Sequence, residues 1–299
     1  MTRARTILIA LGAAYLVAVA PATAAERIAF VRVQREPPLG AYGQHWGVRT
    51  AKLDGTGQRR VFGSSMGVTG LSWAPSGNEI AVALATRFGD AYFRVVHADG
   101  SGFSNLHSCP TPDSGCGGVA WAPDGSKLAF LIHGAIYTMD SNGMNVTELI
   151  QCDPADCTAN GVPDWSFDGS KLVFSREDEQ GDFGIYTADA NGSNINQVKD
   201  CVVRCAIPDL STDMSRVAFA WKRNIWIMNA DGTSADKLTH CPRPRCRAAG
   251  HPDWSISGNR ILYDAGGKGD GFPMIRLMTD EGDQLRTVIE DGSHPLWQP

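Results

Sequence analysis

The chain has no run of basic residues, and its formal charge of -5 is mildly acidic. That argues against nucleic acid as a partner, because surfaces that bind phosphate backbones need clustered Lys and Arg. Beyond the first segment no apolar stretch approaches the roughly 20 residues of a membrane-spanning helix. Nor does it have the composition of a disordered chain: of its 299 residues 43% are hydrophobic and 20% charged, enough to bury a sizeable core.

The first segment, residues 1–24, has the pattern of a secretory signal peptide. Arg3 and Arg5 open it, residues 7–20 form a short apolar run, and Ala22-Thr23-Ala24 is a small-residue cleavage site. The mature protein is then exported and begins near Ala25, with a charge of about -7 once the two arginines are gone. The alternative is an uncleaved anchor.

What the rest of the chain does have is a repeat. In residues 163–205 four short apolar runs are separated by turn signals, among them Phe167-Asp168-Gly169 and Ala190-Asn191-Gly192, which supply the Asn or Asp and Gly of tight hairpins. This predicts a four-stranded antiparallel meander. Its marker tryptophan recurs at Trp73, Trp121, Trp165, Leu210, Trp254 and Trp297, in steps of 48, 44, 45, 44 and 43 residues. That period is the signature of a propeller blade. The third turn recurs six times, from Asp54-Gly55 through Asp99-Gly100, Asn142-Gly143, Asn191-Gly192 and Asp231-Gly232 to Glu281-Gly282, so six blades are expected. RIAFVRV, from Arg27, matches the second strand of the unit, whereas His294-Pro295-Leu296-Trp297 repeats His251-Pro252-Asp253-Trp254. The C-terminal strand is therefore expected to complete the N-terminal blade and close the ring, leaving no open sheet edge. Residues 36–46 form a long loop in the first blade, with shorter insertions at 86–91, 178–183 and 266–273.

The segments WAPDGSKLAF from Trp121, WSFDGSKLVF from Trp165 and IWIMNADGTSADKLT from Ile225 resemble the TolB-like beta-propeller repeats. The resemblance covers nearly all of the chain after residue 24. It implies an all-β fold and an exported protein that presents a propeller face to protein partners. The signal peptide runs almost directly into the first blade, so the α/β domain that precedes the TolB propeller is expected to be absent, which argues against a role in the Tol-Pal system itself.

Eight cysteines fall in four local pairs, Cys109 with Cys116, Cys152 with Cys157, Cys201 with Cys205 and Cys241 with Cys246, each in a connection between blades. In an exported chain such pairs read as disulfides that stiffen one rim. Zinc sites and redox-active thiols are the alternatives, although the intervening gaps vary from three to six residues and successive pairs lie a blade apart.

Motifs for chemistry are few. Gly63-Ser64-Ser65-Met66-Gly67 fits G-x-S-x-G but precedes no helix, and the glycine-rich stretch 267–271 has no helix N-terminus to face a phosphate, so neither carries a function. The innermost strands are more informative. Asp164, Asp209 and Asp253 share one repeat position, immediately before the marker. Repeat equivalence brings them round the channel axis, where they could hold calcium through oxygen ligands, or else cap backbone amides and neighbouring blades. His251 and His294, in adjacent blades, could bind a partner's carboxylate or a metal, or be hydrogen-bonded at a strand start.

Three functional readings follow. The first is a non-catalytic scaffold in the periplasm or outside the cell that binds a protein or peptide at the channel mouth, with His251, His294, Asp164, Asp209, Asp253, Tyr42 and Trp46 as contact residues. The second is a metal-dependent enzyme, since some related propellers cleave acidic polysaccharides with metal-bound histidines. The third is a glycan or small-ligand sensor using Tyr42, Trp46 and Phe272.

Overall fold

The computed structural model describes residues 26–35, 44–86, 88, 90–109, 116–152, 157, 159–201, 203–241, 249–266 and 273–299. They form six antiparallel sheets, one per repeat, arranged as the blades of a propeller. The N-terminal blade takes its innermost strand, Ser293–Trp297, from the end of the chain, and its other three are Arg27–Arg35, Gln44–Lys52 and Arg59–Ser64. Ile28 pairs with Trp297 and Ala29 with Leu296, in the register that the repeat predicts. Each innermost strand then neighbours the innermost strands on either side, all the way round.

Apolar residues fall into six clusters, one in each interface between adjacent blades. A blade packed on both faces needs a middle strand without strict alternation. Glu79–Ala85 and Arg260–Ala265 accordingly bury nearly every side chain. At one repeat position the aromatic rings of Phe30, Phe130, Phe174, Phe219 and Tyr263 are almost fully buried. Four of the marker tryptophans, Trp73, Trp121, Trp254 and Trp297, are buried in these interfaces too.

The turns do more than reverse the chain. Asp99, Asn142 and Asn191 each accept the backbone N–H two residues on, at 2.8, 2.9 and 3.0 Å. The glycine that follows Asn191 sits against the preceding blade: a Cβ on Gly192, at φ +81°, would stand 2.3 Å from the carbonyl oxygen of Leu149. The third turn is thus part of the blade interface.

Blade four departs from the simple meander, because its innermost strand is broken into Ala159–Asn160 and Asp164–Trp165, both paired with Lys171–Glu177. Disulfides join Cys109 to Cys116, Cys152 to Cys157 and Cys201 to Cys205. Cys241 is disulfide-bonded as well; Cys246, its expected partner, lies outside the described residues.

Candidate binding site at the channel mouth

The position three residues before the marker is occupied round the ring by Gly70, Gly118, Val162, Ile207, His251 and His294. These residues share one level of the channel. A Cβ on Gly70 would lie 2.8 Å from the Gly118 Cα, so blades two and three approach to backbone contact there, and one on Gly118 would lie 2.5 Å from Val162 Cγ2, the side chain that blade four packs against it. On the other side side chains fill the level, and the imidazoles of His251 and His294 lie against each other with ring centroids 3.7 Å apart and planes tilted by 35°.

The backbone explains how. The pairing of the innermost strand slips between Ala206 and Asp209 in blade five and between Gly250 and Asp253 in blade six, and bulges of this kind re-aim side chains. Ile207, His251 and His294 have φ of 55°, 47° and 52°, in the left-handed region that glycine adopts freely. Blade three has Gly118 there, at φ 58°. A β-branched isoleucine in that conformation is a true outlier and costs on the order of 1–3 kcal/mol.

Just past these crowns the carboxylate of Asp209 accepts the N–H of Trp254 from the next blade at 2.6 Å, and Asp253 does the same for Trp297 at 2.6 Å. Ser72 makes the equivalent contact with Trp121 at 2.8 Å. Asp164 turns instead to its own neighbour's amide, that of Trp165, and to Asp209. Burial raises all three carboxyls above the ordinary range, Asp209 and Asp253 well above it, and the charges of Asp164 and Asp253 push Asp209 further. A hydrogen bond between the two carboxyls favours the charged form of Asp164 and the neutral form of Asp209.

Among the described residues the three aspartates do not gather as a ligand set. The one group of three or more possible metal ligands among the described residues is His251, Asp264 and His294, whose ligand atoms lie within 4.8 Å of one another. Asp264 belongs to the second strand of blade six, and its side chain is 9% exposed. Its Oδ2 lies 2.8 Å from His251 Nδ1 and accepts the His294 N–H at 3.0 Å. Burial pushes the Asp264 carboxyl up, but the adjoining His251 and His294 more than offset it and hold it below its usual value. Burial and the neighbouring His251 depress His294 to about 3, only partly opposed by Asp264.

Asp264 escaped the sequence reading, yet the signal was there. The same repeat position holds Val31, Ala83, Leu131, Ser175 and Ala220 in the other blades, so a lone charge in an apolar strand marked it out. Trp46 is on the third strand of the N-terminal blade, its ring 3.8 Å from where a side chain on Gly67, the first residue of blade two's innermost strand, would begin, and it packs against the cluster between blades one and two. Tyr42 and Phe272 lie outside the described residues.

Cys116 and Cys205 stand at the starts of the innermost strands that carry Gly118 and Ile207, so two of the disulfides rim the end of the channel at which the crowns lie. The family model of the TolB beta propeller domain matches residues 20–299.

The chain belongs to the TolB beta propeller domain family.

Among solved structures this TolB-family propeller is similar to TolB from Acinetobacter baumannii, with 18% identity and a TM-score of 0.72 over 92% of this chain and 67% of that one. A chain of the nidogen/laminin complex is similar at 9% identity and TM-score 0.70, covering 92% of this chain and 98% of that one. An oligogalacturonate lyase in complex with manganese is similar at 15% identity and TM-score 0.56, covering 87% of this chain and 73% of that one. At these identities the likeness is one of fold. The sequence matches no curated protein.

Proposed function

We propose that this propeller is an exported, non-catalytic scaffold of the periplasm or the extracellular space, residues 1–24 being its signal peptide and the rest a single propeller. It binds a protein or peptide segment at the disulfide-rimmed mouth of the channel.

One observation carries this reading. Blades five, six and one each hold a non-glycine residue at positive φ at the same level of the channel, where blade three uses glycine. Ring geometry alone is met by the glycine, so the strain at Ile207, His251 and His294 is retained for what those side chains present. The disulfides support export, because such bonds persist in oxidising compartments. The family supports a protein partner, although a fold by itself does not fix function.

The second reading, cleavage of an acidic polysaccharide, takes its support from the fold shared with oligogalacturonate lyase. Only two histidines of the channel ring are available to it.

The test is photocrosslinking in an envelope extract, with a photoreactive amino acid placed at Ile207 and, as a control, at Leu285 on an outermost strand, 50% exposed. A discrete adduct from position 207 alone is expected. Adducts from both positions, or none from 207, would overturn the reading.

A further inference from the structure

We infer that His251, Asp264 and His294 form a binding site for one divalent transition-metal ion of the zinc type, placed across the seam where the two ends of the chain meet. This inference is independent of the partner reading above.

The geometry is close to what such an ion needs. The three ligand atoms lie within 4.8 Å of one another, and His251 Nδ1 and Asp264 Oδ2 are 2.8 Å apart. Atoms bound to one ion at about 2.0–2.2 Å are themselves about 3–3.5 Å apart, so small rotations of the rings complete the set. The chemistry also selects the ion. Two imidazoles and one carboxylate suit borderline metals such as zinc, whereas calcium prefers six or more oxygens.

The surroundings hold the donors in place. Asp264 is fixed by the His294 N–H, and His294 Nδ1 is 3.0 Å from Ser293 Oγ, a partner of the kind that orients a ligating ring. The imidazoles lie 3.7 Å apart between centroids, so both rings can turn a nitrogen to one ion, and it is the neutral ring that binds a metal. With one carboxylate and two neutral rings the occupied site has a net charge of about +1, and its remaining positions open on the channel to water or an anionic oxygen.

The site's position has a consequence for the ring. His251 and Asp264 come from blade six, and His294 comes from the C-terminal strand that completes blade one. An ion bound to all three ties the closing strand to the preceding blade, so occupancy must raise the melting temperature.

The experiment is calorimetric titration of the full, tag-free chain with zinc ions at neutral pH, and with calcium ions in parallel. Melting curves and cobalt(II) absorption follow on the same protein. One zinc per chain, a higher melting temperature and a cobalt spectrum typical of nitrogen ligation are expected, with little response to calcium. His251→Gln and His294→Gln should each weaken zinc binding about tenfold or more. The absence of saturable zinc binding by the wild type overturns the site, as does undiminished binding by the double variant. The cobalt spectrum tests the ligands without any substitution.

Discussion

Asp209 shows how one side chain can serve the ring without being a ligand. It supplies the acceptor for the Trp254 N–H, is hydrogen-bonded to Asp164 and is held well above its normal range by burial and by neighbouring carboxylates. Its folded value is raised, so the stability it contributes is fully present below the unfolded value of 3.8 and is lost as pH rises through the folded value; Asp253 follows the same sign. Asp213, bonded to Ser211 and Ser215 and lowered to about 2, has the opposite sign, with stability present above 3.8 and lost as pH falls towards 2. Asp209→Ala leaves a buried amide without an acceptor and should cost about 1–3 kcal/mol. Asp209→Asn keeps an acceptor and removes the charge, so its stability relative to wild type should improve as pH rises from 4 to 8. Urea unfolding across that range checks both, and equal losses for Ala and Asn at every pH would contradict the account. The shared position of the three aspartates was legible from the repeat alone. A bond to the neighbouring blade was among the expectations for them, but the particular amides that Asp209 and Asp253 accept were not legible, because each lies about 44 residues away, where pattern carries no information on contact.

The strands and turns were the most legible elements. Alternating apolar runs and Asn-Gly or Asp-Gly turns fix a four-stranded unit, and the six recurrences place every blade. The split innermost strand of blade four was not read, although Asn160-Gly161 and Pro163 stand at the break between Ala159–Asn160 and Asp164–Trp165. Nor was the second duty of the third-turn glycines. Gly181 and Gly192 have nearly the same φ, +80° and +81°, but a Cβ on Gly181 meets nothing within 4 Å whereas one on Gly192 runs into the Leu149 carbonyl. Gly181→Ala should therefore cost about 1–2 kcal/mol, the strain alone. Gly192→Ala should cost about 1–3 kcal/mol more, because blades three and four must separate locally. Thermal or urea melts of the two variants decide it; similar losses would mean that the turn does not bear on the interface.

For the whole molecule the governing fact is that no blade has a core of its own. All six apolar clusters lie between blades, so each blade depends on two neighbours and the ring depends on the strand that closes it. Ring closure was legible because the sequence at His294 repeats that at His251 and because the first blade lacks a strand. The cluster that closure assembles was not, since Asp264 reaches the two histidines only once blade six and the C-terminal strand lie side by side. The mouth of the channel thus exists only in the closed ring, and the most direct measurement is the unfolding of a chain that lacks residues 294–299. The account predicts that this truncation, which removes His294 and Trp297, abolishes the cooperative melt and the near-ultraviolet signal of packed tryptophans. A truncated chain that melts cooperatively within a few degrees of the full protein would contradict it.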